Sequence, residues 1–252
     1  MAATKRRLDQ LLAERGLAPT REKAQAFILA GEVTVNGQKA SKASQMVGED
    51  AVVEMAAKPP YVSRGGLKLA HALDEFGIVV DGLVCLDVGA STGGFTDCLL
   101  QRGAARVYAL DVGHGQMDWK LRNDPRVVVI EECNARYLEP GALPVRAGFA
   151  TMDVSFISAT LILPKLPPLL EPWASLVVLV KPQFEAGRAA VGKGGVVRDP
   201  VVQEAACNRV QACVESLGFQ CRLTPSPITG AEGNQEFLLY AFPPHNRNHL
   251  ET

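Results

Sequence analysis

Apolar positions switch between helix spacing and strand spacing along this chain, and each switch marks an element. Leu8, Leu11 and Leu12 are spaced for one helix, which Gly16 stops. A second helix runs from about Thr20, a good N-cap, through Ala24, Phe27 and Ile28 to Gly31. Val33-Thr34-Val35 alternates as a strand, Asn36-Gly37 supplies a tight turn, and Val52, Val53 and Met55 give another short strand. Residues 56–62, AAKPPYV, read as a linker, because Pro59-Pro60 cannot continue a helix and favours an extended form. A helix with Leu69, Leu73 and Phe76 on one face follows, capped by Gly77. Buried strands are expected at 83–88, 106–112, 127–130, 149–154 and 175–180. Pro200 fits the first position of a helix whose stripe is Val202, Ala206, Val210, Cys213 and Leu217, and strands at about 220–223 and 236–242 close the chain. Strand–helix alternation with a closing antiparallel pair predicts an α/β fold. It places a Rossmann-like seven-stranded sheet over residues 63–252, after a small α+β unit over residues 1–55.

The stretch CLDVGASTGGFTDC, residues 85–98, organises the larger unit. It reads as a strand, a glycine turn and a helix that starts near Gly94. Gly89 makes the turn, and Gly93 and Gly94 are expected to let the backbone come close to a ligand. Asp111 ends the next strand 22 residues after Gly89, the distance at which a doubly wound sheet holds a ribose diol. A nicotinamide dinucleotide is disfavoured, because Ser91 stands where the second glycine of that fingerprint would touch the pyrophosphate. Asp87 would also repel a pyrophosphate. It suits a ligand with a positive charge at this end, such as the amino group of S-adenosylmethionine. The stretch therefore predicts a methyltransferase cofactor site of Asp87, Gly89, Ser91, Gly93, Gly94, Phe95, Thr96 and Asp111. Asn134 after the third strand meets an adenine, and Asp153 closes the fourth strand. The alternative is a plain α/β crossover with a glycine-rich turn.

Ligands in such sheets bind outside the carboxyl ends of the strands, where Asp87, Asp111, Asp153 and Lys181 all lie. A lysine closing an apolar strand is costly unless paired, and Asp153 is its natural partner. A structural ion pair is the alternative. Spacing alone leaves Lys68, on the first turns of its helix, and Glu236, at the start of the last strand, as solvated surface residues.

Composition narrows the setting. Residues 1–68 hold 11 Lys/Arg against 7 Asp/Glu, and residues 69–252 hold 15 against 20, so net charges of +4 and −5 stand behind the overall −1. An RNA partner is drawn to the basic end, where Arg6, Arg7, Arg21, Lys23, Lys39 and Lys42 decorate a small helix pair and its turn. No run of about eighteen apolar residues is present, so no membrane span is expected. The first ten residues are no secretory signal, and six cysteines without a CxxC pair read as reduced thiols of a cytoplasmic protein rather than a zinc site.

Two resemblances carry the reading further. Arg7-Leu8-Asp9, Thr20-Arg21 and GEVTVNG at 31–37 resemble the S4 RNA-binding domain. YVSRGGLKL at 61–69, Asp87 to Asp97, DVSFIS at 153–158, VKPQFE at 180–185 and GNQEF at 233–237 resemble the hemolysin-A-type (TlyA) family. That family joins an S4 domain to an FtsJ-like methyltransferase domain. The resemblance implies a class I methyltransferase sheet, S-adenosylmethionine as cofactor, and 2′-O-methylation of ribosomal RNA, at cytidine ribose, on ribosomal subunits. It implies a tetrad of Lys68, Asp153, Lys181 and Glu236 with no metal required, and adds Arg64 to the RNA-binding residues. Rival readings are a base methyltransferase, a membrane-active hemolysin-like protein, and an RNA-binding module with an inert methyltransferase fold. The first lacks here an Asn-Pro-Pro-Tyr type motif or a catalytic cysteine beside Asp153. The second lacks a long amphipathic basic helix.

Overall fold

A computed structural model describes residues 5–55, 59–187, 190–192, 194–230 and 232–244. The chain divides into two compact units, Met1–Pro59 and Pro60–Thr252. Residues 56–58 of the expected linker lie outside the described residues. Tyr61 and Val62, expected in that linker, belong to the second unit: the Tyr61 ring fills the space beside Gly66, and Val62 donates its N–H to Asp97 at 2.8 Å.

In the first unit, β1 (Lys5–Arg7) runs into α1 (Leu8–Glu14), and α2 (Arg21–Leu29) follows. Thr20 caps α2 by accepting from the Lys23 N–H, as its hydroxyl and position dictate. Strands β2 (Val33–Val35) and β3 (Gln38–Lys39) form a hairpin turned by Asn36 and Gly37, both at positive φ. Strand β5 (Val53–Met55) pairs with β2, while β4 (Met46–Gly48) pairs with β1 in a small sheet of its own. Leu8, Leu11, Leu12, Ala24, Ile28 and Val33 form the core. β1 and β4 were not foreseen, because three-residue strands leave no periodicity to read.

In the second unit, α3 (Gly65–Phe76) ends on Gly77 in the left-handed conformation. Then come β6 (Val84–Val88), α4 (Gly94–Gln101), β7 (Arg106–Leu110), α5 (Trp119–Arg122), β8 (Val127–Ile130) and β9 (Ala147–Met152). They are followed by β10 (Leu170–Val180), α6 (Pro182–Glu185), α7 (Pro200–Ser216), β11 (Gln220–Pro225) and β12 (Phe237–Phe242). The seven strands lie in the order β11-β12-β10-β9-β6-β7-β8, with β12 antiparallel to both neighbours and the other pairings parallel. This is the Rossmann-like methyltransferase sheet. Successive residues of the central strands serve opposite faces. Val177 and Leu179 pack with Leu69, Leu99 and Phe149 on one side, and Leu176, Val178 and Val180 with Leu163, Leu166 and Val210 on the other.

The connection from β9 to β10 departs from the expected alternation. It is three short 3₁₀ turns, because Pro164, Pro167 and Pro168 deny an α-helix its hydrogen bonds. The strands themselves end two residues earlier than expected at β7 and β9. Asp111 and Asp153 therefore sit just past the strands, where side chains are free to face a ligand. The order reverses at β6, which continues to β7 on one side and lies against β9 on the other, so the crevice opens between the ends of β6 and β9.

Candidate active site

Two cavities open at that crevice, of about 630 and 470 Å³, and they share Gly89, Ser91, Asp153, Ser155 and Phe156. The smaller lies along the ends of β6, β7 and β8. Asp111 reaches into it, its carboxylate held by the backbone N–H groups of Ser91 and Gly113, both at 2.7 Å. Two further lone pairs stay available for a diol. Val112, Ile157 and Ile162 give apolar walls, so the residues fit a nucleoside: an acid for the ribose and an apolar slot for a base. Asn134 lines this cavity, but its side-chain oxygen already accepts from the Arg136 N–H.

Three expectations need correction. The Asp87 carboxylate does not face a ligand: it is wholly buried, lines neither cavity, and accepts the hydroxyls of Thr96 at 2.7 Å and Thr151 at 2.8 Å. Thr96, equally buried, thus serves the strand–turn–helix joint rather than the cavity. A Cβ at Gly93 would meet Leu121 and Met117, so protein and not a ligand makes that close approach, whereas one at Gly94 would meet Ser63 and the Gly66 nitrogen at a residue that also borders the larger cavity. Gly89, at φ +84, is required for the same kind of reason. A Cβ there would lie 2.4 Å from the Asp153 carbonyl oxygen, which is how β6 and β9 come together. Phe95 and Gly94 line the larger cavity.

Burial pushes the Asp87 carboxyl up to about 6, against the two threonine hydroxyls, which favour the charge. Between about pH 4 and 6 the folded protein keeps a proton that the unfolded chain releases, so stability falls as pH rises through that window and levels above it. Asp87→Asn is expected to remove this fall. Urea midpoints of both proteins from pH 4 to 7 test it, and a wild-type midpoint indifferent to pH there would reject the assignment.

The larger cavity gathers Lys68, Asp153, Lys181 and Glu236 from four separate elements. Lys181, buried at the end of β10, pairs with Asp153 at 2.5 Å and donates to the Ser155 hydroxyl at 2.9 Å. Its nitrogen has three positions besides the one bonded to carbon, and with Asp153 and Ser155 beside two of them one is left to face the cavity, as a donor in the ammonium or a lone pair in the amine. Lys68, on the first turn of α3, pairs at 2.5 Å with Glu236, which precedes β12; both are almost wholly buried. Asn234, 1% exposed, accepts from the Val197 N–H and donates to the Gly195 carbonyl, fixing the glycine-rich loop against the segment that delivers Glu236. Arg64 is exposed on the same cavity.

Ser155, Phe156, Gln183 and Phe184 also line the larger cavity, yet none was singled out as a site residue. For Phe156 and Phe184 a signal existed: each is an aromatic three residues past a charged strand end.

In the first unit the cations are not alike. Arg6 is held by Glu14 and Glu49. Arg7 and Arg21 converge on Asp9, which is fully buried and also accepts from Gln25 at 2.8 Å. Arg7, foremost, holds the Asp9 carboxyl well below its usual range. Lys23, Lys39 and Lys42 are exposed.

Comparison with known proteins agrees with this fold. Residues 61–242 match the family model described as FtsJ-like methyltransferase, and residues 6–53 match the S4 domain. The chain is 51% identical over 243 residues to the Bacillus subtilis protein named "Putative rRNA methyltransferase YqxC", covering 95% of this chain and 86% of that one. It is 45% identical over 241 residues to the Mycobacterium tuberculosis 16S/23S rRNA (cytidine-2′-O)-methyltransferase TlyA, covering 94% and 90%. Among solved structures, "Putative hemolysin from Streptococcus thermophilus" superposes with a TM-score of 0.73 at 44% identity, covering 96% and 90%. Among the described residues no helix is long and apolar enough to cross a membrane.

Proposed function

Because the chain belongs to the FtsJ-like methyltransferase family and carries an S4 domain, we propose that it methylates a ribose 2′-hydroxyl of ribosomal RNA in the cytoplasm, at cytidine, with S-adenosylmethionine as methyl donor. The observation that carries this reading is the convergence of Lys68, Asp153, Lys181 and Glu236 on one cavity that adjoins a nucleoside-sized slot. When bound, S-adenosylmethionine supplies a sulfonium methyl group, an electrophile already activated. Asp111 would hold its ribose diol, and the slot past β7 and β8 would take its adenine.

A hydroxyl is a weak nucleophile until its proton is taken. Lys181, as the neutral amine, would take that proton as the hydroxyl oxygen accepts the methyl group. Asp153 and Ser155 fix its position and stabilise the ammonium that results. Lys68 and Glu236 would hold the nucleotide, and Arg64 its phosphate, with the ribose hydroxyl turned towards the methyl donor's slot.

Incubation of purified small and large subunits, and of the free RNAs, with labelled cofactor tests the reading. Nuclease digestion and mass spectrometry are expected to find the label on a ribose 2′-oxygen. Label on a base, or none while cofactor still binds, would overturn it.

The first unit supplies RNA affinity. Asp9 holds Arg7 and Arg21 as a fixed pair of guanidinium forks with faces left to solvent. Asp9→Ala is expected to raise the KM for RNA about tenfold with kcat unchanged, as loss of a pre-set phosphate contact requires. Steady-state kinetics at low salt check it, and a fall in kcat with KM unchanged would contradict it.

A further inference from the structure

Lys181 and Asp153 meet beyond the reach of the sheet that delivers them. The pairing of β10 with β9 ends at Val178 and Met152, so no ladder hydrogen bond fixes the Lys181 arm against the arm that carries Asp153 and Ser155. Asp153 is tied to β6 instead, its N–H donating to the Val88 carbonyl at 2.9 Å. Lys181 runs directly into α6, and α6 ends on Glu185. Glu185 is 3% exposed, and among the described residues its charge is met by hydrogen bonds rather than by a cation. One carboxylate oxygen accepts from the Ser158 hydroxyl, the other from the Ala159 N–H at 2.7 Å. Ser158 in turn shares a hydrogen bond of 2.7 Å with the Thr160 hydroxyl.

The surroundings make an ion here costly. Cys207 of α7, 2% exposed, has its thiol pushed up to about 11, first by burial and then by the Glu185 charge. An apolar side chain would fill the same space without that cost. What it could not do is bond across from α6 to Ser158 and Ala159, three and four residues past Ser155. The far side is held as well, since the Glu185 carbonyl accepts from Arg209 of α7 at 2.5 Å. We propose that Glu185 is a positioning residue for methyl transfer: it clamps the Lys181 arm to the Asp153–Ser155 arm and so keeps the Lys181 nitrogen facing the target hydroxyl. This rests on the role given to Lys181 above. The clamp touches neither the RNA nor the methyl donor, because Glu185 lines neither cavity. Its contribution therefore falls on the rate of the chemical step and not on binding.

The test is a double-mutant cycle on an RNA that wild type methylates at a ribose. Glu185→Leu is expected to lower kcat about a hundredfold, as misplacement by about an ångström does, with the KM for RNA and cofactor affinity by calorimetry within about threefold. Glu185→Gln is expected to stay within about threefold of wild type in kcat. Its amide oxygen still accepts from Ala159, and its amide nitrogen donates to Ser158, whose hydroxyl can reverse. In a Lys181→Ala background, Glu185→Leu is expected to cost nothing further, because the group it positions is gone. Ser158→Ala, which removes one of the two bonds and strands no charge, is expected to lose about fivefold in kcat and carries the test if the leucine variant does not fold. An equal loss from Glu185→Leu with and without Lys181 would make the carboxylate structural only and overturn the proposal. So would a glutamine variant as slow as the leucine one, or an unchanged kcat in Ser158→Ala. A Lys181→Ala protein as fast as wild type would overturn the role of Lys181 itself, which is thus tested apart from the clamp.

Discussion

Lys181→Ala lowers methyl transfer by about a thousandfold and leaves cofactor binding within a few-fold; this is the first expected result. General-base assistance contributes on the order of 10²–10⁴ in rate. Lys181 lines the larger cavity and not the nucleoside slot, so cofactor affinity does not depend on it directly. The residue left behind, Asp153, loses its cation and repels an attacking oxygen. Single-turnover rates at saturating RNA, with calorimetry for the cofactor, separate the two effects. Lys181→Arg keeps the charge but not the chemistry, since a guanidinium does not give up its proton. It is expected to be nearly as inactive as the alanine variant. A tenfold or smaller loss in either variant would remove Lys181 from the proton transfer.

Glu236→Ala has the largest expected effect on stability. Lys68 and Glu236 are 8% and 2% exposed and lie 2.5 Å apart, so removing the carboxylate strands a buried ammonium. Breaking a buried pair from one side costs about 3–5 kcal/mol, whereas replacing both members with apolar residues is often neutral. The single variant is expected to lose that much in urea titration. The double variant Lys68→Met, Glu236→Leu is expected to regain most of it while remaining unable to methylate. Activity in the double variant would show that the pair is structural. Stability unchanged in the single variant would show that Lys68 finds water or another partner.

The sheet was legible because its strands are apolar runs that stop at charged residues. Asp111, Asp153 and Lys181 mark three such stops, and all three face the cavities. The connection between β9 and β10 was less so, since its prolines forbid what the alternation suggests. Spacing located the glycine turn but not the direction of what it carries. Asp87 and Thr96 point into the core, and Gly93 makes room for protein, because the demand for a missing Cβ is the same whichever neighbour fills the space. Lys68 and Glu236 carried no local signal at all. A lysine on a helix and a glutamate before a strand are ordinary surface residues until the fold brings them together, and only resemblance to a family had singled them out. Phe156 was overlooked for a different reason: its exposure and positive φ are properties of the loop, not of the residue.

The pair that joins α3 to β12 also sets an order of events. Lys68 and Glu236 are separated by 168 residues, and β12 inserts between β10 and β11 after all the other strands of the sheet have been made. Contacts so distant in sequence close late, because the chain entropy of the intervening loop is lost before they form. The nucleoside slot needs only β6 to β9 and the turns beside them. A chain folding from its N-terminus thus completes its nucleoside slot well before Lys68 and Glu236 can meet in the larger cavity, so the two cavities are finished in that order.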